Sequence, residues 1–262
     1  MPRPPRRRLP CRVRQQAEGG CQEAAFPGTT QTPAPLPDTM TACRASMRHQ
    51  TLFLNMFHAM LDALGPSRWW PAETPFEVAV GAVLTQNTNW ANAARAIAAL
   101  KAAGPFDAHT LFALPGAELA ERIRPAGYYR LKAKRLRNLL GLLVRDYDGA
   151  IDRLAAEDME TARQKLLAVS GVGPETADSI VLYALGQPSF VVDAYTARIC
   201  QRHALVAEDV DYETLRELFM DALPPDVPLY NELHALLVRV GHDWCRPRGP
   251  RCRECPLERF LP

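Results

Sequence analysis

The chain has 262 residues, 47% of them hydrophobic, with 31 Lys and Arg against 29 Asp and Glu, for a net charge of +2. That length buries a sizeable core, in one large domain or two modest ones. No apolar run approaches the roughly 20 residues that span a bilayer, and the near-neutral charge excludes a partner recognised by bulk charge alone, so any polyanion must be held by local groups.

The seven cysteines fall into an N-terminal set (Cys11, Cys21, Cys43), a lone Cys200 and a C-terminal set (Cys245, Cys252, Cys255). This odd, clustered count does not describe a disulfide framework. It suits a reducing, cytoplasmic compartment, with the C-terminal set as candidate metal ligands.

In chain order, residues 1–38 are rich in Pro, Arg, Gln and Gly and carry no apolar periodicity. With the segment up to residue 46 they read as a disordered extension or as the product of a mis-assigned start, with Met40 or Met47 as the first residue. Helical periodicity begins at Thr51 and runs to a stop at Gly65. Pro75 opens two helices that break near Gln86–Asn89. Short helices follow in DAHTLFAL and AELAERIRPAG, then a long amphipathic helix from Tyr128, basic on one side. METARQKLLAVS, PETADSIVLYALG, TARICQRHALV, YETLRELFMDAL and LYNELHALLVRVGHDWC complete the set. FVV (190–192) is too short to found a sheet, so the expected class is all-α.

The most informative stretch is LLAVSGVGPETADSIVLYALGQPSFVVD, Leu166 to Asp193. Gly171 and Gly173 allow a tight turn and close approach of backbone to a phosphate. The N–H groups of Gly171, Val172, Gly173 and the next helix start then face an anion without reading base sequence. On residue type alone, Asp193 is either a reactive carboxylate or the cap of the helix that follows.

The string L-x-x-V-x-G-V-G-x-x-T-A, followed by GQPSFVVD and AYTARICQRHAL, resembles the helix-hairpin-helix of the endonuclease III superfamily of base-excision DNA glycosylases. The resemblance covers most of Trp69 to Cys255. It implies two helical subdomains around a DNA-binding cleft: a barrel over residues 73–190, and a second unit from 47–72 plus 191–262. It also implies that Asp193 is the catalytic acid, which stabilises the positive sugar formed as an N-glycosidic bond breaks. Members that also cut the strand carry a lysine two residues after the second glycine, which attacks the sugar and forms a Schiff base. This chain has Glu175 there, and a carboxylate cannot form the imine, so a monofunctional glycosylase is expected. Lys132 and Lys134 read as phosphate contacts.

Trp69-Trp70-Pro71, Leu84 to Thr88 with Trp90, and Arg124 to Leu136 resemble a narrower branch, the 3-methyladenine DNA glycosylases related to endonuclease III. The resemblance implies that Trp69, Trp70, Pro71 and Trp90 line a pocket for the extruded base, and that Gln86 fills the hole left in the duplex. Aromatic faces suit cationic N-alkylated purines, although single tryptophans are more often core. An adenine-mismatch branch needs a glutamate where this chain has Ala82.

The C-terminal spacing C-x6-C-x2-C matches the first three ligands of that superfamily's [4Fe–4S] site, with Leu261 in place of the fourth. The outcomes left open are a three-thiolate cluster with an outside ligand, a lost cluster, a damaged sequence end, or zinc with His242. The expected partner is double-stranded DNA with damaged bases, met by a monomer in the cytoplasm near the nucleoid. A strand-cutting endonuclease III activity on oxidised pyrimidines or mismatches, and a non-catalytic DNA-binding module, are the alternatives.

Overall fold

Why the chain is helical is legible from its caps. Thr74 Oγ1 accepts the Glu77 N–H at 3.1 Å, Pro75 takes the first helical position, and Glu77 reaches back to the Glu73 N–H at 3.0 Å. Asp107, Asp158, Asp193, Asp211 and Asp226 each cap a later helix through a side-chain oxygen. The computed structural model describes residues 39–67 and 69–262, with side chains from Ser46 onward. The sequence reading of 1–38 lies outside these residues.

The elements are α1 (Thr39–Leu64), α2 (Pro75–Leu84), α3 (Trp90–Ala102), α4 (Ala108–Ala113), α5 (Gly116–Arg122), α6 (Tyr129–Tyr147), α7 (Ile151–Ala155), α8 (Met159–Leu167), α9 (Pro174–Ser179), α10 (Ala194–Arg202), α11 (Tyr212–Ala222) and α12 (Val227–Asp243). No strand occurs among the described residues. Three differences from the sequence reading stand out. α1 begins at Thr39, twelve residues ahead of its apolar stripe, so the stretch 39–46 is helical rather than disordered; its polar residues gave no periodic signal. α7 went unread because five residues are too few to show a period. α9 is not one regular helix: it widens into a π turn over Ile180–Ala184, where the Leu185 N–H reaches back to Ile180 O.

Thr39–Pro262 forms one unit built on two apolar cores. The first gathers α2 to α9 around α2, whose residues Val78 to Leu84 are all buried. The second joins α1, α10, α11 and α12. Its centre is a ring stack, Phe53 on Phe219 at 4.3 Å and Phe219 on Phe190 at 4.2 Å. Phe190 and Leu182 therefore belong to the second core, although both precede residue 191. Tyr183 packs against both cores and marks their seam. No helix among the described residues is long and apolar enough to cross a membrane.

Candidate active site

The hairpin is built as a brace. Gly171 has φ +97°, and a Cβ there would lie 2.4 Å from Arg135 Cγ, so both backbone and space require glycine. Gln86, in the turn after α2, holds the loop: its Nε2 donates to Gly171 O at 3.1 Å and to Thr176 Oγ1 at 2.9 Å, and its Oε1 accepts from Arg135. Gly173 is different. A Cβ at Gly173 would meet nothing within 4 Å, so its bareness serves no internal contact and leaves the start of α9 open to approach. The Val172 N–H already donates to Val169 O at 3.0 Å and its side chain is buried. Val172 thus shapes the turn and offers no donor to a phosphate, which corrects the sequence reading of that residue.

Asp193 ends the extended run from Phe190 and is half-buried. Its Oδ1 accepts the Thr196 N–H at 2.7 Å, capping α10, so the cap and the reactive-acid readings are not exclusive. Its Oδ2 lies 3.8 Å from His234 Nε2 on α12. His234 Nδ1 is hydrogen-bonded to Tyr183 Oη. Burial, with Asp193 nearby, holds the Tyr183 phenol well above its ordinary value. Burial also pushes the His234 imidazole below its ordinary value, partly offset by Asp193. Glu175 is open to water but recessed among protein atoms, and that crowding, together with Asp193, raises its carboxyl to about 7.

The aromatic residues meet at the seam. Trp70 is the hub: its ring centroid lies 5.3 Å from Trp69, 5.3 Å from Trp90 and 5.2 Å from Tyr183. Gly81 on α2 makes room, since a Cβ there would stand 3.1 Å from the Trp90 ring and 3.5 Å from Trp70. Ser67 tethers the segment to α12 by donating its N–H and its hydroxyl to Glu232, at 2.6 and 2.7 Å. Trp70 and Trp90 also pack against the first core, while Trp69 does not. The indole N–H of Trp70 is buried without an acceptor, an unusual state for a group that normally finds one. Pro71 is exposed beside them.

Lys132 corrects the sequence reading outright. It is 1% exposed, and its Nζ donates to Leu84 O at 2.9 Å and Ala126 O at 2.7 Å. It satisfies the orphan carbonyl at the end of α2 and cannot also bind a phosphate. Desolvation draws its pKa down. Lys134, two residues on, projects to solvent with Arg130 one turn earlier. Sequence reasoning missed Tyr183, His234 and Arg135, which sit on apolar or basic stripes with no local signal. It also missed Tyr128, a 73% exposed aromatic held at φ +46° at the start of α6.

The C-terminal cysteines share one small cavity with Leu257 and Leu261. Cys245 Sγ accepts from Arg202 at 3.0 Å, and Cys255 Sγ from the Leu257 N–H at 3.4 Å. Leu261 lines the same cavity and, being apolar, offers no fourth donor. These residues therefore do not fit a four-thiolate iron–sulfur cluster. His242 does not supply zinc's fourth ligand: it is largely exposed, bonded to Asp243 and absent from the cavity wall. Cys200 is core, its thiol pushed up to about 12 by burial.

A family model described as "HhH-GPD superfamily base excision DNA repair protein" matches residues 80–225. A relative from Methanocaldococcus jannaschii, named "Putative DNA repair glycosylase MJ1434", is 44% identical over 211 residues, which is 80% of this chain and 95% of the relative. A 3-methyladenine DNA glycosylase of H. pylori (MagIII), solved bound to 1,N6-ethenoadenine, is 28% identical with a TM-score of 0.61, covering 75% of this chain and 97% of its own. An endonuclease III trapped as a covalent intermediate with DNA shares the fold at a TM-score of 0.70 and 24% identity, over 80% of this chain and 94% of that one. The family match runs from α2 through the hairpin and Asp193 to the end of α11, more than half of the molecule, and so the chain belongs to the HhH-GPD superfamily of base excision DNA repair proteins, with the endonuclease III-like enzymes.

Proposed function

We propose that this DNA glycosylase is monofunctional and hydrolyses the N-glycosidic bond of alkylated purines, 3-methyladenine first, in double-stranded DNA. The observation that carries the reading is the aromatic cluster around Trp70, which adjoins Asp193 through Tyr183 and His234. A purine alkylated on a ring nitrogen is cationic. It gains from indole faces, and it leaves as a neutral base without a general acid. What remains for the protein is to stabilise the sugar cation and admit water, and one carboxylate, Asp193, suffices for that. The likeness to the H. pylori enzyme supports this substrate class.

Glu175 sets the reaction type. It stands at the hairpin where a strand-cutting relative would need an amine; Lys165, the lysine nearest the hairpin in sequence, is paired with Glu157, and Lys132 is buried with its donors engaged. Phosphates are then met by the open N-terminus of α9 at Gly173 and by Lys134. Gln86 enters the duplex only by exchanging its bonds to the hairpin for bonds to the orphaned base.

The test is a set of methylated, oxidised and deaminated duplexes, each assayed separately for free base and for nicks. Release of 3-methyladenine with no nicking is expected. Nicking that borohydride traps as a covalent adduct overturns the monofunctional reading, and release of only oxidised or deaminated pyrimidines overturns the substrate class.

A further inference from the structure

Behind Asp193 a hydrogen-bonded run ends on an atom with no partner. His234 is 5% exposed, its Nδ1 engages Tyr183 Oη, and its Nε2 is buried with nothing bonded to it. That atom faces Asp193 Oδ2 across 3.8 Å, beyond hydrogen-bond range. The other carboxylate oxygen is already fixed by the Thr196 N–H.

The protons on this run follow from its chemistry. Among the described residues His234 Nδ1 is the acceptor within reach of the Tyr183 hydroxyl, and His234 Nε2 faces a carboxylate oxygen, so the arrangement that sets a donor against each acceptor has Nδ1 accepting from Tyr183. An imidazole with Nδ1 as acceptor carries its single proton on Nε2. The proton therefore points at Asp193. Burial keeps the ring neutral. A neutral donor orients a carboxylate without cancelling its charge, whereas a lysine or arginine at the same place would oppose the stabilisation of a sugar cation.

We propose that His234, fixed as its Nε2–H tautomer by Tyr183, is a positioning residue for Asp193, closing onto Oδ2 so that the carboxylate is held at both oxygens while it faces the sugar. The inference rests on Asp193 being the reacting carboxylate. Tyr183 also packs on Trp70, so the group that sets the tautomer belongs to the aromatic cluster as well.

The test uses the full chain in single-turnover excision, on whichever lesion the wild type releases from a panel of alkylated, deaminated and oxidised duplexes. Affinity for a duplex bearing a tetrahydrofuran abasic analogue and thermal unfolding are measured alongside. His234→Ala is expected to slow excision by roughly 10–100-fold, by analogy with the loss of an outer partner that orients a metal-bound ligand, with affinity for the analogue unchanged. His234→Gln, whose amide N–H reaches the Nε2 position, recovers most of the rate. Tyr183→Phe slows excision less than His234→Ala, and the imidazole 15N signals of His234 change from one Nε2–H tautomer to a mixture. Loss of packing alone would not produce that spectroscopic change or the glutamine rescue. Wild-type excision by His234→Ala, or a His234→Gln variant as slow as His234→Ala, overturns the inference. Asp193→Asn at full rate defeats the reading of Asp193 itself, whereas an inactive Asp193→Asn beside a fully active His234→Ala defeats the role of His234 alone.

Discussion

Asp178 and Asp193 stand on either side of the same turn, and their surroundings are opposite. Asp178 is fully buried and saturated: Arg163 donates to it at 2.8 and 3.1 Å, Tyr212 Oη at 2.8 Å, Ser189 also donates, and Arg216 lies 3.2 Å away. Through these partners it ties α9 and α8 of the first core to α11 of the second. Asp193 has one backbone donor and one histidine across a gap. A carboxylate with every lone pair engaged is a fastener; one with an oxygen to spare can answer a charge that develops beside it. Both were acids at the edge of an apolar run in the sequence. What separates them is the number of donors that the fold brings to each.

The sharpest way to break this comparison is to exchange the consequences. Asp178→Ala removes the buried counter-ion of two buried arginines, leaving them only the half-exposed Glu213, and is expected to cost about 3–5 kcal/mol of stability in denaturant titrations. Asp193→Asn is expected to lower excision by roughly 10²–10⁴-fold with little loss of stability, because asparagine still caps a helix. If Asp178→Ala unfolds normally, or Asp193→Asn weakens the fold as much as it weakens excision, the division into fastener and reactive acid is wrong.

The hairpin glycines give a second contrast of smaller size. Gly171→Ala forces an alanine to φ +97° and pushes its Cβ into Arg135, for a cost of order 1–3 kcal/mol in thermal unfolding. Gly173→Ala meets open space and is expected to leave unfolding unchanged, while weakening DNA binding by roughly 1 kcal/mol, about one lost hydrogen bond. Equal stability losses would show that Gly173 has a structural role after all.

The smallest expected effect concerns Glu175. Its carboxyl rises from 4.5 to about 7 on folding, so protonation favours the folded state. The contribution is fully present below pH 4.5 and is lost as pH rises through about 7. Against Glu175→Gln, which lacks the titration, the wild type should lose relative stability across that window. A flat difference in melting temperature from pH 4 to 8 would remove the recess around Glu175 from the account.

Local chemistry is what the sequence shows best. The helix breaks at Gln86–Asn89, the hairpin turn and the cap at Asp193 were all readable because glycine, proline and capping acids act within a few residues. Lys132 shows the limit. Its place in a basic stretch beside Lys134 pointed to solvent, but two residues of rotation on α6 put it on the opposite face, turned inward onto the carbonyl ends of two other segments. Gln86 was read for its reach into DNA, and the fold shows a prior duty in bracing the hairpin.

By itself, the sequence determined the all-α class, the turn that presents Gly171 and Gly173, and the replacement of an amine by Glu175, since each depends on residue type at short spacing. Only the tertiary structure decided which acid is saturated and which is free, that Trp70 meets Trp90 and Tyr183, and that His234 on α12 stands behind Asp193. Those relations join residues up to a hundred or more positions apart in the chain. No local propensity encodes them: they arise when the two apolar cores close on each other at the seam marked by Tyr183.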